Sequence, residues 1–109
     1  MATAEELCDQ GVDLFSEGQF DAAIAAYEQA LTLDPMLLDA IHGLAMAYAE
    51  KGDLERAIAA AKRITVASPD DPLGYTSLSM LYQRAGRIED AETAASQARV
   101  LEWKQELED

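Results

Sequence analysis

Apolar residues in the first third of the chain return at steps of three and four: Leu7, Gly11 and Leu14, then Phe20, Ala23, Ile24, Tyr27, Ala30 and Leu31. That spacing draws one stripe along a helix, whereas a half-buried strand would alternate. Gly18 parts the two stripes, and glycine enters the left-handed conformation in which helices commonly stop at little steric cost. A helix, a tight reversal and a second helix are predicted, and the same phrase then recurs. Gly18, Gly52 and Gly86 stand 34 residues apart, as do Ala23, Ala57 and Ala91, and Pro35 and Pro69, with Trp103 in the third place. The apolar columns Leu7, Ile41, Tyr75; Leu14, Tyr48, Tyr82; and Phe20, Leu54, Ile88 keep the same step. Thr3 with Glu6 reads as a capping box, and Asp71 before Pro72 as an N-cap with proline in the first turn.

A 34-residue helix-turn-helix unit with small residues at Gly11 and Ala45, and with these glycine, alanine and proline columns, resembles the tetratricopeptide repeat. The resemblance covers units 4–37, 38–71 and 72–105 within a single domain, 1–109. It implies an all-α fold, a right-handed superhelix of three helix-turn-helix repeats. Departures from the pattern are Gln10 in a leucine column, Ser79 in the small-residue column and Trp103 in the proline column.

Stacked repeats bury their apolar faces against one another, so the outermost ones need polar substitutions. Ile24 and Leu31 correspond to Ile58 and Thr65 in the second unit but to Glu92 and Arg99 in the third. No Gly or Pro parts Lys104–Asp109 from the last helix, which is expected to run on. Val100, Trp103 and Leu107 then share a stripe. Trp103 is expected to fold back over the final repeat, with an exposed docking or dimer contact as the alternative.

Composition narrows the function. Half of the 109 residues are apolar and 27% are charged, enough core material for one folded domain. The lone Cys8 excludes an intramolecular disulfide and a multi-cysteine zinc site, which makes a reducing cytoplasm the default. No apolar run nears the ~18 residues of a membrane helix, and the first residues carry no Lys or Arg, so neither a membrane span nor a secretory signal is expected. The net charge is −13, and residues 1–50 hold ten acids and no Lys or Arg. A phosphate backbone is repelled by such a surface, so no nucleic acid is expected as partner. A basic peptide or protein is attracted, although acidity also serves solubility or a salty habitat; the sequence leaves both open.

Catalytic signatures are absent: no GxxxxGK, GxSxG or HExxH occurs, and His42 is the one histidine. Cys8 and His42 lie one repeat apart, with Asp39 three residues before His42, so a thiol and an imidazole could approach on adjacent helices. Groove lining is the preferred role for both, and no catalytic residue, metal site or cofactor is expected.

The family resemblance further implies that the first helix of each unit lines a concave groove. Its rows are Cys8, His42, Thr76; Val12, Met46, Met80; Glu5, Asp39, Leu73; Asp9, Gly43, Ser77; and Phe15, Ala49, Gln83, with Ser16, Glu50, Arg84 at the rim. The floor is apolar, with adaptable methionines, and the entrance acidic. One use of this fold, clamping the carboxylate tails of heat-shock chaperones, requires Lys, Arg and Asn where this chain has Cys8, Val12, Gly43, Leu73 and Ser77. The expected function is protein or peptide binding by a monomer, with a basic partner. The alternative is a scaffold that self-assembles, as a homodimer through the Trp103 end.

Overall fold

A computed structural model describes residues 1–108 and contains six helices in chain order: α1 (Ala4–Ser16), α2 (Phe20–Leu33), α3 (Leu38–Glu50), α4 (Leu54–Ala67), α5 (Leu73–Arg84) and α6 (Ile88–Glu108). No strand occurs among the described residues. Each helix packs on its neighbour in the chain, and α1 also meets α3. The helix pairs stack into a superhelical slab with extents of 43 × 33 × 20 Å.

Three copies of one turn set the pairing. Gly18, Gly52 and Gly86 have φ of +78°, +84° and +76°, and the next residue's N–H reaches back over each glycine to a carbonyl of the preceding helix. Gln19 N donates to Leu14 O at 2.9 Å, Asp53 N to Tyr48 O at 3.0 Å and Arg87 N to Tyr82 O at 2.8 Å. These six-to-one bonds satisfy carbonyls that the helix end would orphan. At α1 the capping box is formed: Glu6 N donates to Thr3 Oγ1 at 3.1 Å and Thr3 N to Glu6 Oε1 at 3.4 Å. Leu73 N donates to Asp71 Oδ1 at 2.9 Å, and Pro72 already has helical dihedrals, so Asp71 caps α5 although the regular helix begins at Leu73.

The core is built on small residues. Ala23, Ala57 and Ala91 are wholly buried, with Ala30, Ala40, Ala45 and Ala61. Ser79, which replaces the glycine or alanine of its column, is buried because its hydroxyl donates to the Ala91 carbonyl at 3.0 Å. On the outer column Ile24, Leu31 and Ile58 are buried and Thr65 half-buried, while Glu92 and Arg99 are exposed. The last helix runs on as expected, and Gln105 Nε2 donates to Asp70 O at 3.3 Å. Trp103 departs from the expectation: it is 61% exposed and does not cover the final repeat. The helix turns Trp103 to solvent, on one stripe with the exposed Val100 and Leu107, while Gln105 of the same extension faces the α4–α5 loop.

One large side chain interrupts the alanine pattern. Tyr27 of α2, only 2% exposed, lies across the gap between α1 and α3. A Cβ placed on Gly11 would fall 2.6 Å from Tyr27 Cε1, and one on Gly43 would overlap the ring at Cζ. Both glycines are therefore required by close approach rather than by backbone torsion. Replacing Gly43 by Ala gains about 1 kcal/mol of helix propensity but forces a packed ring to move, at ~1–3 kcal/mol. Gly43→Ala is expected to lower stability in urea unfolding, whereas in a Tyr27→Leu background the same change should be stabilising. A stabilising Gly43→Ala in the unmodified chain would show that the ring has room to yield.

Candidate functional site

Above Tyr27, seated on Gly11 and Gly43, a hollow of about 340 Å³ lies between α1 and α3. From α1 it is lined by Cys8, Asp9, Val12 and Phe15, from α3 by Asp39, His42, Gly43 and Met46, and from α2 by Tyr27. Side chains one helical turn apart share a face, which is why Cys8, Val12 and Phe15 present together, as do Asp39, His42 and Met46. Val12 is exposed and Met46 half-buried, so the walls are apolar and reachable. Phe15 meets Phe20 edge to face at 5.2 Å between centroids, fixing that wall.

Of the residues singled out by sequence, the hollow brings together Cys8, Asp9, Val12, Asp39, His42 and Met46. Thr76, Met80 and Gln83 line a different depression of about 290 Å³, against Ala95, Ala98, Arg99 and Glu102 of α6. Glu5 and Arg84 line neither. Glu5 is exposed on the first turn of α1, and Arg84 donates to the Ala49 carbonyl at 3.3 Å, tying the end of α5 to the end of α3. Tyr27 is the residue that the column reading passed over. Its signal was present: its column continues with Ala61 and Ala95, and glycines stand opposite it at Gly11 and Gly43.

A larger hollow of about 450 Å³ lies at the other end, among Pro69, Tyr75, Thr93, Ser96, Gln97, Val100 and Leu101. It has no acid or base in its lining, whereas the α1–α3 hollow is edged by carboxylates.

Electrostatics argue against thiolate chemistry. Burial pushes the Cys8 thiol above its ordinary pKa, and the carboxylates of Asp39, Asp9 and Glu5 push it further in the same direction. A nucleophilic cysteine needs the opposite surroundings. His42 Nδ1 is buried without a hydrogen-bond partner, so this nitrogen is not paired with the thiol. Among the described residues no group of three His, Cys, Asp or Glu side chains is placed to hold a metal ion, and no helix is long and apolar enough to cross a membrane.

Comparison with known proteins agrees with this architecture. A sequence model of the tetratricopeptide repeat matches residues 14–81, more than half of the chain. Photosystem I assembly protein Ycf3 of Synechococcus sp. (strain CC9605) is 27% identical over 96 residues, which are 85% of this chain and 54% of that protein. The chain thus spans about half the length of the curated relatives it matches. Among solved structures, MamA superposes with a TM-score of 0.89 at 26% identity, covering 94% of this chain and 60% of that one. The second TPR of Spaghetti (RPAP3), bound to the HSP90 peptide SRMEEVD, superposes with a TM-score of 0.81 at 19% identity, covering 91% and 92%.

Because a raised pKa keeps more of the thiol protonated near neutrality, Cys8 is expected to react with iodoacetamide at pH 7.5 about tenfold more slowly than in the urea-unfolded chain. Mass spectrometry of timed samples measures both rates. Equal rates would show that neither burial nor the carboxylates protect the sulfur.

Proposed function

Since the chain belongs to the tetratricopeptide repeat family, we propose that it is a cytoplasmic protein-binding module without chemistry of its own, which takes an extended or helical segment of a basic partner onto the face of α1, α3 and α5. The observation that carries this reading is the preformed hollow between α1 and α3, apolar within and acidic at its edge. A rigid concave site on packed helices spares a ligand much of the ordering cost of binding. The HSP90 peptide held by the Spaghetti domain has three acids in its last four residues. Here Cys8, Val12, Gly43, Leu73 and Ser77 stand in place of the clamp's Lys, Arg and Asn, and ten acids without a base fill residues 1–50. Acidic tails are repelled by such a surface, and the sign of the partner is reversed.

One observation favours a second reading, self-assembly into a scaffold. Val100, Trp103 and Leu107 are exposed on one stripe of the α6 extension, and a contiguous apolar patch often marks an interface. Sedimentation velocity across a concentration series, with wild type and Trp103→Ser, tests it. A dimer that dissociates in the variant supports the scaffold, while a wild type monomeric throughout rules it out.

For the groove, matched Lys/Arg-rich and Asp/Glu-rich peptides are compared at about 0.05 M and about 0.5 M salt, across which screening shortens several-fold. The basic peptide should bind in preference, and its affinity should fall about tenfold or more at the higher salt. Preference for the acidic peptide would end this reading.

A further inference from the structure

We propose that the hollow between α1 and α3 is a pocket for a single arginine side chain of the partner, with the aliphatic stem along Val12 and Met46, the guanidinium against the Phe15 ring above the buried Tyr27, and Asp9 and Asp39 as its counter-charges. The proposal rests on the binding-module reading and names what its site selects.

Two carboxylates stand on opposite walls, Asp9 on α1 and Asp39 on α3. Among the described residues neither has a cationic partner. Of the eight bases, Lys51, Arg56 and Arg87 pair with Asp21, Asp53 and Asp90, Arg84 donates to the Ala49 carbonyl, and no recorded ion pair reaches Asp9 or Asp39. The chain therefore leaves the charge of this hollow uncompensated, although it neutralises charge at several other points. The two carboxylates share this hollow rather than lying apart on the surface, since both line it together with Cys8.

An apolar side chain would fill the interior but would strip water from the edge carboxylates and return no charge to them, a costly arrangement. Lysine would bring a compact, strongly hydrated ammonium, which is drawn to an aromatic face but has no plane to stack on it and holds its water more tightly. A guanidinium is planar, lies on aromatic rings, and offers donors in several directions to carboxylates on two sides. At about 340 Å³ the hollow is near the lower end of the range for binding pockets, ~300–1,000 Å³, which suits one long side chain rather than a folded segment.

The site is also single. At its base Tyr27 is seated against Gly11 and Gly43, and the equivalent positions Ala61 and Ala95 supply no ring at the later junctions. One arginine per chain is the stoichiometry that follows.

The test uses the full chain, labelled with nitrogen-15 and titrated into the millimolar range with blocked tripeptides Gly-X-Gly in which X is arginine, lysine, citrulline or norleucine. Citrulline keeps the shape of arginine without its charge, and norleucine offers only an apolar chain. The arginine peptide is expected to bind about tenfold more tightly than the citrulline peptide and several-fold more tightly than the lysine peptide. Amide shifts should gather at Cys8, Val12, His42 and Met46 and spare Thr76 and Met80. Asp9→Asn with Asp39→Asn changes two exposed side chains, and should abolish the arginine preference while the amide spectrum stays folded. A norleucine peptide that binds best at the same amides overturns the arginine assignment and leaves the binding module standing. Equal binding of arginine and citrulline does the same. If no tripeptide shifts these amides the pocket itself is overturned, and the longer basic peptide then reports separately on the module.

Discussion

How closely the helices approach governs everything else in this molecule. Where two helices cross at the ~8–10 Å separation of packed pairs, side chains at the crossing must be small or interdigitate. Here Ala23, Ala57 and Ala91 are buried without residue, and Ser79 replaces a glycine or alanine only because its hydroxyl reaches the Ala91 carbonyl. A crossing built on alanine has little apolar area to contribute, so each pair relies on its neighbours for burial. The turns make that stacking regular, because three glycines with positive φ return the chain by the same six-to-one bond.

Against that regular background the site arises from an exception. A repeat that was perfectly periodic would present the same shallow face at every junction. Tyr27 has no aromatic counterpart at Ala61 or Ala95, and Gly11 and Gly43 accommodate its ring, so the α1–α3 junction carries a hollow floored in a way the later ones are not. The exception is confined to side chains, since the backbone of the first unit keeps the turn geometry of the others. Rigidity and recognition thus come from different residues: alanine and glycine columns fix the frame, and one aromatic ring shapes the hollow.

Much of the frame was legible in the sequence, because it is written in period and in turn chemistry. The glycine columns, the Thr3–Glu6 box, the Asp71 cap and the polar Glu92–Arg99 face depend on local spacing, and spacing survives folding. Less was legible where the outcome depends on which helix faces which. Val12, Met46 and Met80 form one row by column arithmetic, yet Met80 looks onto α6 while the other two share the α1–α3 hollow. Trp103 was expected to cover the last repeat as large aromatics usually do; the unbroken helix that carries it leaves it in solvent instead. Tyr27 was counted as one more apolar position of α2, because a single column does not reveal that its neighbours across the gap are glycines.

The charge distribution completes the division between frame and site. In the later units bases are spent within the chain: Arg56 and Arg87 pair with acids three residues away and lie over Tyr48 and Tyr82, and Arg84 closes the end of α3. Exposed pairs of this kind contribute little stability, about 0–1 kcal/mol each, but they leave the second half nearly balanced. The first half has no base of its own, and its one recorded ion pair borrows Lys51 from the second. The negative charge is therefore concentrated in the half of the chain that carries α1, α3 and the hollow between them. A cation drawn by that charge arrives at the junction where an apolar wall and an aromatic ring can hold what lies behind its own charge, so long-range attraction and short-range fit point to one place.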